Sequence, residues 1–324
     1  MHISQALSVT LHDYHPQAGD VRDEILSGLR APQKLLPSKY FYDARGSELF
    51  DAICELPEYY PTRTELGIME THLPEMAAAL GPRLLLVEPG SGSSLKTKLL
   101  LEALHGPVAY VPVDISRTHL VNAADELNRR YPKLEVLPVC ADFSQPFELP
   151  APSRAIQRVA IYFPGSTIGN FEPAAAIRLL KQLRRLAGDD SALLIGVDLR
   201  KDVRILEAAY NDGAGVTADF NLNILRRINE EMDGDFDLAR FRHRAVFNAV
   251  ESRIEMHLVS TVAQIVHVSG ERFSFREGEH IVTEYSYKHT LDGFAKLAGK
   301  AGYSVEQVWT DDRRWFSVQY LTAG

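Results

Sequence analysis

The sequence predicts an α/β protein: a parallel sheet wound on both faces by helices, joined to a second, smaller α+β unit. Three observations carry this. From residue 83 to 199, short near-continuous apolar runs alternate with helix-spaced segments, the pattern of strands covered on both sides. A glycine-containing loop, PGSGSS, directly follows the first of those runs, where the backbone of a doubly wound sheet meets its ligand. After residue 200 the rhythm changes to helix and then to long strand-like stretches, which suit antiparallel hairpins.

The first 20 residues are polar and irregular, and Asp20 is placed to cap a short helix ending near Arg30. Leu49, Phe50, Ile53 and Leu56 have helical spacing within 47–56, and a helix also fits Thr62 to Leu80. The strands then read LLLVE (84–88), VAYVPVD (108–114), LEVLPVC (134–140), RVAIYF (158–163) and ALLIGVDL (192–199). Helices over Leu95–Leu104, Ser116–Tyr131 and Glu172–Leu186 separate them. The handedness of such crossovers leaves a doubly wound, Rossmann-like sheet as the main candidate. Helical segments from Val203 to Met232 precede a strand-rich stretch at 245–268 and another, HIVTEYSYKH, at 280–289. A helix near Thr290–Ala301 and two strands, VEQVWT and FSVQYL, close the chain. The expected division is therefore a sheet domain at 61–199 and 289–324, and a second domain at 1–60 and 200–288 built from the N-terminal arm and an insertion.

Composition narrows the function. The chain has 324 residues, 45% hydrophobic and 24% charged, enough apolar material for a core without metal or disulfide staples. Lys plus Arg total 35 against 43 acidic residues, a net charge of −8, so nucleic acid is a poor partner. The pairs Arg184-Arg185 and Arg226-Arg227 read as solvated helix faces. Two cysteines, Cys54 and Cys140, allow neither a disulfide framework nor a zinc spacing, and no metal is expected. The N-terminus lacks the pattern of a signal peptide, and no apolar run approaches the ~18 residues of a membrane span. A cytoplasmic monomer acting on small molecules, with no membrane partner, is the expectation.

Several strand ends carry chemistry. Gly90-Ser91-Gly92 lets the backbone approach a ligand, but Leu95 stands where a dinucleotide fingerprint needs its third glycine, which disfavours NAD. Asp114 closes the second strand, where a carboxylate can accept from both ribose hydroxyls of an adenosine. Asp142-Phe143 closes the third, positioned to take an adenine. Lys96 can meet a cofactor carboxylate or be a solvated helix lysine. FPGSTIGNF (163–171) follows the fourth strand, with Asn170 placed to bind an amino-acid carboxylate or to serve a turn. Tyr40, Tyr42, Tyr59 and Tyr60 flank one helix, and can pack as core tyrosines or wall an amine pocket.

The stretches LPSKYFYDARGSELFDAICELPEYYPTRTE, VEPGSGSSLKT, GSTIGN, AYNDGAGVTADFNLNILRRINEEM and DFDLARFRHRAVFNAVESRIEMHL resemble the histidine-specific Nα-methyltransferases of ergothioneine biosynthesis, from about residue 35 to the C-terminus. The resemblance implies a Rossmann-like class I methyltransferase domain with a second α+β substrate-binding domain. It implies S-adenosylmethionine as methyl donor and trimethylation of the α-amino group of L-histidine to hercynine. By resemblance, Gly90, Lys96, Asp114, Asp142 and Phe143 bind S-adenosylmethionine. Asn170 and Tyr210 hold the histidine carboxylate; Tyr59, Glu284 and Ser286 face the imidazole, with Met256 lining it; and Tyr42 and the carbonyl of Gly165 face the α-amine as the catalytic pair. Relatives acting on indole amino acids make tryptophan the alternative acceptor. A module that binds S-adenosylmethionine without turnover is the alternative from another class. Methyl transfer from a sulfonium needs alignment and a neutral amine, and a phenol of pKa about 10 is a poor general base, so Tyr42 is expected to orient the amine while water takes the proton.

Overall fold

The computed structural model describes residues 10–14, 18–92 and 95–324. In chain order its elements begin with β1 (His12–Asp13), α1 (Ala18–Arg30), α2 (Ala44–Cys54) and α3 (Tyr60–Leu80). The alternating region comes next: β2 (Leu84–Pro89), α4 (Leu95–Ala103), β3 (Ala109–Asp114), α5 (Arg117–Arg130), β4 (Glu135–Val136), β5 (Val139–Cys140), β6 (Arg158–Phe163), α6 (Pro173–Ala187) and β7 (Ala192–Asp198). Then come α7 (Val203–Ala208), α8 (Val216–Glu231), β8 (Phe241–Asn248), β9 (Arg253–Ser260), β10 (Gln264–Val268), β11 (Glu271–Phe275) and β12 (His280–Tyr287). The chain closes with α9 (Leu291–Gly299), β13 (Tyr303–Thr310) and β14 (Phe316–Ala323).

Among the described residues the large sheet runs β1-β5-β3-β2-β6-β7-β14-β13, with β4 beside β3. It is parallel through β7; β14 then runs antiparallel to β7, and the edge strand β13 antiparallel to β14. β2 and β7 are buried along their whole lengths, because helices cover both faces of the sheet. One face packs Met69, Leu80, Leu100 and Leu127 over Leu86 and Tyr162. The other packs Leu180, Leu183 and Phe294 over Val111, Ile161 and Ile195. A third cluster is separate and joins residues of α1, α2 and α8 to the sheet β12-β9-β8 and the hairpin β10-β11.

Four expectations need correction. The strand at 134–140 is broken into β4 and β5. Pro138 has no N–H for the ladder, and its carbonyl instead accepts from the His12 amide at 3.0 Å. The N-terminal arm is therefore not purely irregular: His12 and Asp13 pair in parallel with Val139 and Cys140, which puts this part of the arm on the large sheet rather than in the second domain. The first helix starts at Ala18, ahead of Asp20. Arg227 is also more than a solvated residue, since its guanidinium donates to the Tyr40 carbonyl at 3.1 Å.

Two carboxylates tie this frame together locally. The Asp43 carboxylate caps α2 through the Gly46 amide at 2.6 Å and accepts from Asn223 of α8 at 2.9 Å, fixing the segment that carries Tyr42. On β2, the buried Glu88 accepts from the hydroxyls of Thr97 and Tyr110. Burial pushes this carboxyl up to about 7, against those two hydrogen bonds. The folded chain thus holds the proton more tightly than the unfolded chain, whose carboxyl titrates near 4.3. Glu88's contribution to stability is full below that value and is lost as pH rises to about 7. Glu88→Gln, which cannot ionise, should accordingly gain stability relative to wild type between pH ~4.5 and ~7.5. Urea unfolding of both proteins at pH 5 and pH 8 checks this; a stability difference independent of pH would show that Glu88 is already charged in the fold.

Candidate active site

The parallel ladder delivers a row of strand ends to one edge of the sheet. Pro89 lies opposite Val113, and Asp114 opposite Cys140, so Gly90, Asp114 and Asp142 come one after another across adjacent strands. Gly90 is left-handed, with φ +72°, and its amide donates to the Val113 carbonyl at 2.7 Å. A Cβ there would sit 3.4 Å from the Phe143 ring, so the absence of a side chain leaves the crevice between loop and ring open. Phe143 is held edge-on by Phe163 and Phe171, with centroids 5.8 and 6.3 Å away.

Both carboxylates also serve local turns. Asp114 Oδ1 accepts the Ser116 amide at 2.8 Å, whereas Ser116, the N-cap residue of α5, makes no side-chain cap bond. Asp142 Oδ1 accepts the amide and hydroxyl of Ser144 at 2.9 and 2.6 Å. Its Oδ2 pairs with Lys39 at 3.1 Å, and Lys39 also pairs with Glu24 at 2.8 Å. Burial opposes the charge on Asp142, but Ser144 and Lys39 hold its carboxyl below the ordinary aspartate range.

Lys96 is neither a solvated helix lysine nor uncommitted. Its Nζ lies 2.6 Å from Glu65 Oε2, with the Glu65 side chain only 1% exposed. The same carboxylate accepts the Gly165 amide at 2.9 Å and packs over Gly196, where any Cβ would fall 2.2 Å from Oε1. Glu65 thus ties α3, the start of α4 and the loop after β6 into one unit. Gly165 and Ser166 in that loop are both left-handed. The loop passes into a 3₁₀ turn, Thr167–Asn170, that brings the half-buried Asn170 beside β12: a Cβ on Gly169 would lie 3.0 Å from the Tyr287 carbonyl.

Across the loop stands an aromatic wall. Tyr42 meets Phe50 and Phe220 edge-on at 5.6 and 5.8 Å, Phe50 meets Tyr59 at 6.2 Å, and Tyr59 meets Tyr210 at 6.2 Å. Burial, reinforced by the charge of Glu284, pushes the Tyr42 phenol well above its ordinary pKa, so it stays neutral. Glu284 and Met256 are cross-strand partners in the β12–β9 pair, just after a register shift between Val282 and Glu284. Burial pushes the Glu284 carboxyl up to about 7, against the pull of Lys288. Ser286 lies two residues further along the same face.

The structure therefore gathers the sequence-predicted residues into two groups: Gly90, Lys96, Asp114, Asp142 and Phe143 at the sheet edge, and Tyr42, Tyr59, Tyr210, Met256, Glu284 and Ser286 on the aromatic wall and the β12–β9 pair, with Gly165 and Asn170 on the loop after β6. The Tyr210 hydroxyl lies 2.8 Å from Ser286 Oγ. Sequence reasoning missed three charged residues. Glu65 falls on the buried stripe of α3 with Pro61, Ile68 and Met69, a carboxylate at a core position of the helical repeat. Lys288 comes after Glu284 and Ser286 at the same two-residue step. Asp198, at the end of β7, pairs with Lys288 at 2.7 Å, a contact no local pattern announces.

A sequence model described as "Histidine-specific methyltransferase, SAM-dependent" matches residues 21–323. The chain is similar to the histidine N-alpha-methyltransferase of Mycolicibacterium smegmatis, 41% identical over 297 residues that cover 90% of this chain and 91% of that one. The histidine N-alpha-methyltransferase of Mycobacterium tuberculosis is 40% identical over 304 residues, 92% of this chain and 93% of that one. Ergothioneine biosynthesis protein 1 of Neurospora crassa is 31% identical over 303 residues, covering 90% of this chain and 34% of that protein.

The buried Glu65–Lys96 pair yields a test independent of any ligand. Glu65→Gln leaves the Lys96 ammonium without its counter-charge, at a cost of about 3–5 kcal/mol for a well-buried pair and toward the lower end here, because Lys96 keeps 19% side-chain exposure. Adding Lys96→Met should recover part of that loss, so the double variant is less destabilised than the sum of the singles. Denaturant unfolding of the four proteins measures the coupling; strict additivity would mean that the two residues do not interact.

Proposed function

Because the chain belongs to the family of histidine-specific, S-adenosylmethionine-dependent methyltransferases, we propose that it methylates the α-amino nitrogen of L-histidine, in three rounds, to give hercynine for ergothioneine biosynthesis. The observation that carries the reading is the adjacency of two unlike sites. A crevice ending in Gly90, Asp114, Asp142 and Phe143 suits an adenosyl group. The linked rings of Tyr42, Phe50, Tyr59 and Tyr210 meet β12, which carries Glu284 and Ser286, and the loop at 164–170 reaches both groups, through Glu65 and Lys96 on one side and β12 on the other.

The residues at the sheet edge fit the methyl donor. Gly90 leaves room beside a flat ring at Phe143, and two strand ends offer carboxylates for hydroxyl and amino donors. Lys96, held by Glu65, keeps an ammonium near the glycine loop for the amino-acid part. When bound, S-adenosylmethionine supplies a methyl group on a sulfonium. The chain's own work is placement. The neutral Tyr42 hydroxyl and the Gly165 carbonyl orient the α-amine so that its lone pair faces the crevice, and water takes the released proton. Asn170 holds the carboxylate end. The aromatic wall keeps the amine partly desolvated, which favours its neutral form. Transfer ends at the quaternary ammonium, which has no lone pair.

Glu284 and Ser286 account for an imidazole rather than an indole: two polar atoms meet two ring nitrogens, and a larger ring with one nitrogen would leave one of them unpaired. Mass spectrometry of histidine incubated with the protein and S-adenosylmethionine should show a gain of three methyl groups. Tryptophan methylated in preference would establish the indole alternative, and no release of S-adenosylhomocysteine with any amino acid would leave a binding module. Glu284→Ala should weaken histidine binding roughly 10- to 150-fold, the equivalent of one charge-assisted hydrogen bond, and shift competition toward tryptophan. An unchanged preference in histidine–tryptophan competition would move the specificity determinant elsewhere.

A further inference from the structure

Glu65, 1% exposed on α3, faces neither ligand and touches residues assigned to both. Its Oε2 accepts the Lys96 ammonium at 2.6 Å, and the Gly165 amide donates to the same carboxylate, 2.9 Å from Oε2 and 3.1 Å from Oε1. An ammonium and an amide can only donate, so the direction of these bonds is fixed. Lys96 and Gly165 are also neighbours: a Cβ on Gly165 would lie 3.6 Å from Lys96 Nζ. Gly165 and Ser166 are both left-handed, at φ +75° and +57°, and a serine keeps that conformation only where its surroundings impose it. Glu65 holds the pair on one side; on the other, Ser166 Oγ accepts the Asp198 amide at 2.9 Å. The carbonyls of Pro164 and Ser166 accept within the turn, from Thr167 Oγ1 at 3.0 Å and the Gly169 amide at 2.8 Å. Among the described residues no donor meets the Gly165 carbonyl between them.

We propose that Glu65 is a positioning residue for methyl transfer: it fixes the Gly165 peptide beside Lys96, and with it the carbonyl that aims the α-amine, so that it governs the rounds in which the amine still has an N–H and not the last. The inference rests on the reading of this loop as the amine site. In each round the nitrogen lone pair forms the new N–C bond and the C–S electrons stay with the sulfur; after the first two rounds a proton leaves the nitrogen to water. The neutral primary amine of histidine has two N–H groups, and donation to a carbonyl held in one place turns its lone pair toward the methyl. N,N-dimethylhistidine, which enters the last round, has no N–H in its neutral form. The direction of the Gly165 carbonyl then no longer sets the direction of the lone pair, and the anchor behind that carbonyl loses its influence.

The test removes the anchor without stranding a charge. Lys96→Met and the double variant Glu65→Met/Lys96→Met both lack the lysine and differ only at residue 65, and replacing a buried ion pair as a whole by apolar side chains is often neutral for stability. In each protein the first methyl on histidine and the single methyl on N,N-dimethylhistidine are timed over one turnover with saturating S-adenosylmethionine. The ratio of the two rates, histidine over dimethylhistidine, should fall at least about fivefold from Lys96→Met to the double variant, the equivalent of one neutral hydrogen bond. Glu65→Gln in the same Lys96→Met background keeps an acceptor oxygen for the Gly165 amide and should restore most of the ratio. An unchanged ratio, or both rates falling together as a general loosening of the fold would give, overturns the proposal. Hydrogen exchange of the ligand-free wild type needs neither variant nor methyl donor: the Gly165 amide should be protected, and exchange at the rate of an open loop overturns the proposal. Failure of the wild type to methylate histidine sinks the reading of the site and this inference with it; methylation with an unshifted ratio in the double variant sinks the inference alone.

Discussion

A buried carboxylate holds the two halves of this molecule in register. Asp198 stands at the end of the central strand β7 with Lys288 on one oxygen and Lys201 on the other, and the Tyr60 hydroxyl donates to it at 2.7 Å. Burial opposes its charge, but the two lysines hold the carboxyl below its ordinary range. Removing such a charge from water is costly unless its partners are close and its lone pairs are filled, and here both conditions are met. Each partner comes from a different part of the chain: Tyr60 opens α3, Lys201 begins the excursion into the second unit, and Lys288 ends β12. The point where the chain leaves the large sheet and the point where it returns are thus fixed to one side chain. The adjoining backbone bond from the His289 amide to the Asp198 carbonyl, 3.0 Å, adds to the same join.

The functional geometry depends on that join. With β12 anchored against β7, its face of Glu284, Ser286 and Lys288 is brought to the loop after β6, where Asn170 and Gly165 lie. Glu65 does the corresponding work on the other side of the loop, binding Lys96 and the Gly165 amide. The two buried carboxylates differ in surplus: Glu65 pairs with one cation, whereas Asp198 pairs with two, leaving a net positive charge next to β12, whose own carboxylate, Glu284, is pushed up to about 7 by burial. Aromatic rings cover the remaining wall, and burial pushes the phenols of Tyr42, Tyr59 and Tyr210 above their ordinary values.

The sequence by itself determined the fold class, because buried strands and helix-spaced segments are local patterns that burial on two faces imposes on every α/β sheet. It also determined the strand-end residues Gly90, Asp114 and Asp142: in a parallel sheet a residue at the end of a strand reaches the crevice whatever its distant neighbours are. The pair Glu284 and Ser286 was legible for a similar reason, since alternation places them on one face. Their cross-strand meeting with Met256 depends on a register shift that alternation alone does not reveal. The tertiary structure decided the rest. The break at Pro138, filled by His12 from the far end of the chain, joins residues 126 positions apart. Glu65, Lys288 and Asp198 stand at positions whose periodicity points inward, but their partners are not legible in sequence, because a charge is stabilised indoors only by groups that folding brings from elsewhere.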